Sequence, residues 1–422
     1  MSPGLGPTRK LVRPRGRRAG DPDAAARQGS VREHNLTLVL RQIIEAPVPP
    51  SRADVAAATG LTRATVSVLV ERLFQAELIR ELEPTTPQRV GRPAIPLAPA
   101  SGTIAAIGLE VNVDYLGACA LDLSGERLAE RVIAGQFRNG DPLEVLARVA
   151  ALAAEVVTQL QGRGIRLVGA CLALPGLVDS RRGPLRNAPN LGWRDLDVGA
   201  ILRAHAVFDT LPLRVANEAN LAARAEASFD GQIRTFVYVS GDIGIGAGIV
   251  VNGEVYRGRH GWSGEIGHTV VDPSGPLCSC GATGCLERYA GKDALMLEAG
   301  LSPDQPIGVL VEAAERGDER ALRSITDAGR ALGVALANLV NLVDVDQIVL
   351  GGIYAPLEPY LFDAVVAQLR ARVLSAPWAT VTVRAAKVGV GAAMVGGAQA
   401  VLRRLIEDPA SWVDRGRAPA AT

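Results

Sequence analysis

The sequence predicts an α/β protein in two parts, a winged helix-turn-helix in front and a duplicated α/β body behind it. Three observations carry this expectation. Two short helical stretches flank Gly60, and the second opens on a capping threonine, Thr62. A strand–glycine–strand theme occurs in "TIAAIGLEV" with "YLGACALDL" and again in "TFVYVSGDIGIGAGIVVNGEV", each followed later by helix and strand. Leu, Val, Ala and Gly dominate while aromatic residues make up only 4%, which suits an α/β core. At 422 residues the chain is too long for one small core, so more than one domain is expected.

Residues 1–30 hold Pro, Gly and Arg but almost no large apolar side chains. Such a stretch cannot offset the entropy of ordering, so a disordered basic tail is expected, solubilising or in loose contact with phosphate. Residues 31–95 differ. Leu36, Val39, Leu40, Ile43 and Ile44 recur at helical spacing, and Pro47, Pro49 and Pro50 end that helix. Ser51 has the chemistry of an N-cap for "RADVAAAT". Gly60 supplies the turn, and Thr62 caps "RATVSVLVERLFQAE", whose Val66, Leu69, Val70 and Leu73 form one apolar stripe. "LIRELEP" reads as a strand and "TTPQRVGRPAIPLAP" as a Pro-broken loop and return, together a wing.

With the stripe turned inward, Thr62, Arg63, Ala64 and Ser67 lie outward near the helix N-terminus. Those positions reach base edges when such a helix enters the major groove. Arg63 can fork onto a guanine, and Thr62 and Ser67 can reach phosphate or base. In the wing, "RVGRP" sets Arg89 and Arg92 around a glycine, which suits a narrow minor groove. Residues 31–93 are close to neutral, so charge alone does not separate a DNA-binding head from a module for protein contacts; the wing arginines favour DNA.

Residues 96–102 read as a linker, 103–405 as the body and 406–422 as a C-terminal tail. In the body, "PLEVLARVAALAAEVVTQL" is a helix and "LVGACLALPGLV" a buried strand running into a turn. "ALRSITDAGRALGVALANLVNLV" is a long apolar helix, and "QIVLGG" a strand ending in glycines.

The net charge of +1 hides an asymmetry, because residues 1–93 carry 15 Lys+Arg against 9 Asp+Glu. A basic head on a mildly acidic body points to a polyanionic partner for the head. No run of roughly eighteen or more apolar residues suggests a membrane span, and no apolar segment follows the basic N-terminus, so neither membrane nor signal peptide is expected. Cys119 and Cys171 sit isolated in apolar runs, so the five cysteines make no disulfide framework, and a reducing cytoplasm is the expected location.

The other three cysteines gather in "HTVVDPSGPLCSCGATGCLE". His268, Cys278, Cys280 and Cys285 give the spacing H-x9-C-x-C-x4-C, four soft ligands suited to tetrahedral zinc. Buried thiols beside a core histidine are the plainer explanation, but a loop of Ser, Gly and Thr is a poor place for core hydrophobes. Four protein ligands leave no open position, so a structural Zn2+ is expected. Glu265 and Glu287 flank the ligands and share the framework they fix.

"GEIGH", "CSCGATGCLE", "LPGLVD" and "NEAN" together resemble the ROK family of sugar kinases and sugar-responsive repressors, over roughly residues 103–400. The winged helix adds the architecture of its repressor branch. The resemblance implies an actin-like, ribonuclease-H-like body of two lobes with a sugar bound in the cleft. It implies that Asn217, Glu218, Glu265 and Glu287 meet sugar hydroxyls, that His268 bridges metal and sugar, and that Gly176 lines the cleft wall. It implies operator DNA, a monosaccharide effector and a homodimer or homotetramer as partners.

The departures from the family pattern bear on activity. Family kinases carry a D-x-G-G-T phosphate loop, and the matching stretch here is "EVNVD". Asn112 and Val113 stand where glycines would let phosphate approach the backbone, and Asp114 adds negative charge where phosphates would sit. The family's catalytic Asp is matched by Glu218, one methylene longer, and about 1 Å of misplacement can cost roughly a hundredfold in rate. The second glycine stretch, "SGDIGIGAG", is largely intact but carries Asp242, and "LGG" at 350–352 survives. The expectation is a transcriptional repressor without enzyme activity. An active ATP-dependent sugar kinase with a DNA-binding domain is the alternative, and a constitutive DNA-binding protein with a scaffold body is a third.

Overall fold

A computed structural model of the chain describes residues 28–83, 94–179, 184–229 and 233–415. Three helices, α1 (Gln28–Ile44), α2 (Arg52–Thr59) and α3 (Arg63–Gln75), bury Leu36, Leu40, Ile43, Val55, Val66, Val70 and Leu73 against one another. Ser51 Oγ accepts from the Asp54 amide while the Asp54 carboxylate accepts from the Ser51 amide, a reciprocal cap that starts α2. Gly60 has φ +71°, a left-handed conformation open to glycine at no cost. The chain turns there, and α2 and α3 meet at 116°, an angle proper to helix-turn-helix units. Thr62 Oγ1 accepts from the Thr65 amide at 3.1 Å and starts α3.

Strand β1 (Ile79–Glu81) pairs antiparallel with β2 (Leu97–Pro99). Residues 96–102 are therefore not a free linker. Leu97 is fully buried under the head, and its strand is the return limb of the wing. At the other end α1 already starts at Gln28, inside the stretch expected to be tail. Residues 1–27 and the wing tip, 84–93, lie outside the described residues.

The body opens with an antiparallel meander, β3 (Ile104–Val111), β4 (Tyr115–Asp122) and β5 (Arg127–Ala134), followed by α4 (Pro142–Gln161) and β6 (Arg166–Leu174). A small sheet of β7 (Leu177–Val178), β8 (Leu185–Ala188) and β9 (Trp193–Leu196) comes next, then α5 (Val198–Arg203), β10 (Leu213–Asn217) and α6 (Glu218–Phe229). Strands β6 and β10 join parallel to β3, giving the order β10-β6-β3-β4-β5. The second half repeats the plan. β11 (Phe236–Gly241), β12 (Ile245–Val251) and β13 (Glu254–Tyr256) form the meander. Helices α7 (Glu287–Ala290), α8 (Lys292–Glu298), α9 (Gly308–Glu315) and α10 (Glu319–Val343) lead into β14 (Gln347–Gly352), then α11 (Glu358–Arg372) and β15 (Thr382–Ala385). The order β13-β12-β11-β14-β15 mirrors the first sheet. This is the duplicated α/β body expected from the repeated strand–glycine–strand theme.

Helix α12 (Ala392–Glu407) packs across the first sheet and against α6, which in turn packs on the second. Small residues allow this. A Cβ on Gly396 would fall 1.8 Å from the Leu221 carbonyl oxygen, and one on Gly108 would fall 1.7 Å from that of Met394. Residues 406–415 are no tail. α12 runs through Glu407, Pro409 opens α13 (Pro409–Arg415), and Ala410 and Val413 are buried against the head. The proline breaks the apolar period, which hides the last helix from a reading by pattern. Arg403 of α12 pairs with Glu45 of the head at 3.2 Å and with Glu254 at 2.9 Å, so head and both halves of the body meet there.

Candidate functional site

A cavity of about 280 Å³ lies between the two sheets. Six positions singled out from the sequence, Gly176, Asn217, Glu218, Glu265, His268 and Glu287, all line it. They arrive from separate elements. Gly176 sits in the turn between β6 and β7 with φ +89°, where a Cβ would strike the Asn187 carbonyl oxygen at 2.2 Å. Asn217 ends β10. Its Nδ2 donates to the Gly176 carbonyl at 3.0 Å and its Oδ1 accepts from the Asn220 amide at 3.0 Å, so it both braces the turn and caps α6. Glu218 is the first residue of α6. Glu265 and His268 bracket a short 3₁₀ turn, and Glu287 begins α7. Asn187 and Asn190, from the hairpin of β8 and β9, also face the cavity. Sequence reasoning missed both; a pair of asparagines in "RNAPN" carries no spacing signal.

The carboxyl groups here are held above the ordinary carboxylate range. For Glu218 burial is the main cause, with the neighbouring charges of Glu110, Asp242 and Glu265 adding to it. Burial also raises Glu265 and Glu287, while His268 opposes it in both.

Glu218 lines a second cavity too, of about 370 Å³, with Glu110, Asn112, Tyr115 and Asp242. The stretch "EVNVD" borders this space. Asn112 Nδ2 donates to Asp242 Oδ2 at 2.9 Å, and Lys292 Nζ pairs with Asp114 Oδ2 at 2.9 Å. Both contacts tie the β3–β4 turn to the second half of the body. The side chains of Asn112 and Asp114 are thus bonded across the cleft.

Glu110 is 4% exposed, and its Oε1 accepts from the Tyr115 hydroxyl at 2.6 Å. Burial chiefly, and the Asp242 charge, push its carboxyl up to about 7. Folded above its unfolded value, this group contributes stability that is present below about pH 4.5 and is lost as pH rises through about 7. Glu110→Gln keeps an acceptor for Tyr115 and removes the ionisation. The Tm difference, variant minus wild type, is expected to grow by several degrees between about pH 5 and about pH 8. A difference that stays constant across that range in thermal melts contradicts the assignment.

His268, Cys278, Cys280 and Cys285 present ligand atoms that all lie within 4.8 Å of one another. Cys280 Sγ and Cys285 Sγ are 3.6 Å apart, and Cys278 Sγ is 3.8 Å from His268 Nδ1. The group can hold a metal ion. With Nδ1 turned to the thiols, the remaining edge of the His268 ring is left for the cavity it lines. Gly284 fixes the loop, since a Cβ there would meet the Asp272 carbonyl oxygen at 1.6 Å.

On the head, Thr62, Arg63, Ala64 and Ser67 are exposed on one face of α3. Two hydroxyls are already engaged, Thr62 as the cap and Ser67 donating to the Arg63 carbonyl at 2.8 Å. Arg63 is the side chain on that face with donors to spare. Arg89 and Arg92 lie outside the described residues.

Known proteins resemble this chain in sequence and in fold. The chain is 28% identical to the xylose repressor of Bacillus subtilis (strain 168) over 357 residues, 83% of this chain and 90% of that one. The crystal structure of a ROK family transcriptional regulator, homolog of the E. coli MLC protein, covers 91% of this chain and 99% of its own, with TM-score 0.76 and 28% identity. A ROK family glucokinase from Streptomyces griseus, in complex with glucose and AMPPNP, covers 71% of this chain and 99% of its own, with TM-score 0.61 and 26% identity. The ROK family model matches residues 106–404, the two-sheet body with both cavities and the cysteine cluster, and the chain belongs to the ROK family.

Proposed function

We propose that the chain is a sugar-responsive transcriptional repressor. The observation that carries this reading is the pairing of a cavity lined by Asn217, Glu218, Glu265, His268 and Glu287 with a β3–β4 turn whose Asn112 and Asp114 are bonded to the other half of the body, behind an exposed helix-turn-helix face. In this reading Asn217, Glu218, Glu265, His268 and Glu287 bind the hydroxyls of a monosaccharide, and Gly176 forms the wall. Carboxylates and amides suit vicinal hydroxyls, and a buried group left unpaired is costly. The sugar shifts the balance between lobe arrangements, which alters the placing of the heads on operator DNA. It can do so only through unequal affinity for the two arrangements. A homodimer or homotetramer would supply two heads for paired half-sites. Free cysteines throughout the described residues are consistent with a cytoplasmic location.

The metal is proposed to be zinc in a structural role. A tetrahedral ion with Zn–S of about 2.3 Å sets its sulfurs about 3.8 Å apart, close to the 3.6 Å between Cys280 and Cys285. The four ligands would saturate it, so it supplies loop fixation and no reaction step. The alternative of an active kinase draws on the largely intact glycine stretch at 240–248, which carries Asp242, but in this reading Asn112 and Asp114 stand where phosphates would lie.

Contact with DNA is tested at Arg63. Arg63→Ala is expected to weaken operator binding by about 1–3 kcal/mol and to relax preference at one base position, while Arg63→Lys recovers only part of the affinity. Footprinting and fluorescence anisotropy on a randomised operator set read both effects. Unchanged affinity and preference would remove α3 from the interface.

A further inference from the structure

On the far side of Asn217 from the sugar cavity lies a small pocket of about 60 Å³, lined by four arginines. Arg214 comes from β10, Arg224 from α6, Arg404 from α12, and Arg257 from the segment just after β13. Among the described residues one carboxylate serves this group, Glu254, at 3.6 Å from Arg224. Cys171 forms part of the floor. Burial pushes its thiol up to about 12, so it is neutral and supplies no counter-charge. Asn220, the last residue of "NEAN", also lines the pocket. It is 7% exposed, and its Oδ1 is buried without a hydrogen-bond partner.

Arg224 is the enclosed member, its side chain 13% exposed, while Arg214, Arg257 and Arg404 are exposed at the pocket rim, so one buried guanidinium and three solvated ones face a single carboxylate. Arg224 shows the strain, since burial and the charges of Arg257 and Arg403 act to lower its pKa. Like charges converge on a pocket at such a cost when an anion completes the site. Guanidinium forks match the paired oxygens of a phosphate. The space, about 60 Å³, is small beside the 280 Å³ of the first cavity and suits a compact oxyanion better than a sugar ring. The Asn220 amide can turn its NH2 to that anion, or accept from the P–O–H of a monoprotonated one.

We propose that the pocket formed by Arg214, Arg224, Arg257, Arg404 and Asn220 is a binding site for a phosphate-class dianion, either the free ion or the phosphoryl group of a small phosphomonoester. Arg214 belongs to the edge of the first sheet and Arg257 follows the edge strand of the second. An anion held by both links the two halves of the body, beside the residue that caps α6 and borders the sugar cavity. Occupancy is therefore coupled to the lobe arrangement.

The test uses the full chain in phosphate-free buffer at physiological ionic strength. Inorganic phosphate and, separately, glycerol 3-phosphate are titrated calorimetrically, with thermal melts as a second readout. The wild type is expected to bind saturably with a rise in Tm, and the Arg257→Ala/Arg404→Ala double variant to bind at least tenfold more weakly. Arg316→Ala/Arg323→Ala, which removes the same charge from exposed positions after α9 and on α10, is expected to match the wild type. Arg404→Gln, a milder change at an exposed position, should weaken binding in the same direction and guards against a folding defect in the double variant. Tighter binding of glycerol 3-phosphate identifies a phosphomonoester as the ligand, and equal or weaker binding identifies the free ion. The proposal is overturned if neither probe saturates the wild type, or if the distal double variant loses binding equally. It is also overturned if the Arg257→Ala/Arg404→Ala variant loses operator affinity while phosphate binding is absent, which would give these arginines to the DNA backbone.

Discussion

Cys280→Ser is expected to release the metal, lower stability by several kcal/mol and weaken sugar binding together. Cys280 is the exposed member of the cluster, so the substitution leaves the apolar core intact and isolates the metal term. Structural zinc in small peptides contributes about 10–16 kcal/mol of binding energy that is also folding energy. Here the two sheets have cores of their own, so only the loop from 268 to 287 and the elements it braces depend on the ion. The sugar effect follows from position. Cys285 and Glu287 are two residues apart, His268 belongs to both the cluster and the cavity, and Cys280 itself borders the cavity. Elemental analysis of the purified wild type should find about one zinc per chain, and the variant should carry much less, with a lower Tm. Retention of full metal and an unchanged Tm in the variant removes the metal from the account of this loop.

The cluster was legible in the sequence because metal ligands must be soft, few and close, and a chain with five cysteines does not gather three of them by packing alone. The head was legible for a similar reason. Ser51, Gly60 and Thr62 are local devices whose chemistry acts within a few residues, and each does in the fold what its residue type suggested. Boundaries were not legible. Residues 97–99 read both as the return of the wing and as the start of a linker, because a three-residue strand has no period of its own; pairing with β1 and burial of Leu97 settle them as strand β2. α13 was hidden by Pro409, which breaks the pattern and also starts the helix. The pairing of Asn112 with Asp242 spans 130 positions, and no spacing rule reaches so far. From the sequence Asp242 was simply an added negative charge near the lost phosphate loop. In the fold its carboxylate is the acceptor that holds Asn112 across the cleft.

That pairing bears on the second large effect. Glu265→Ala should abolish the response to inducer while leaving operator binding near wild type, and the wild type itself should form no sugar phosphate. Glu265 is a half-buried carboxylate on the cavity wall, its pKa raised by desolvation and opposed by His268. Such a group is best stabilised by donors, and vicinal hydroxyls supply them. Removing it leaves those hydroxyls unpaired in a desolvated site, a cost of about 1–3 kcal/mol or more in sugar affinity. The head lies elsewhere in the molecule, joined to the body through Arg403 and α13, so DNA contact does not depend on Glu265. Without unequal sugar affinity for the two arrangements, the switch has no driving force. Phosphoryl transfer is expected to fail on separate grounds. Asn112 and Asp114 are bonded to Asp242 and Lys292, beside the second cavity that Glu218 also lines. Calorimetry with a panel of monosaccharides, operator release followed by anisotropy, and a coupled ADP assay with ATP and magnesium separate these outcomes. Glu265→Ala that still releases operator at wild-type sugar concentrations would falsify the cavity assignment. Robust ADP formation by the wild type would instead make the chain a kinase that carries a DNA-binding head, with the Asn112–Asp242 and Asp114–Lys292 contacts opening during turnover.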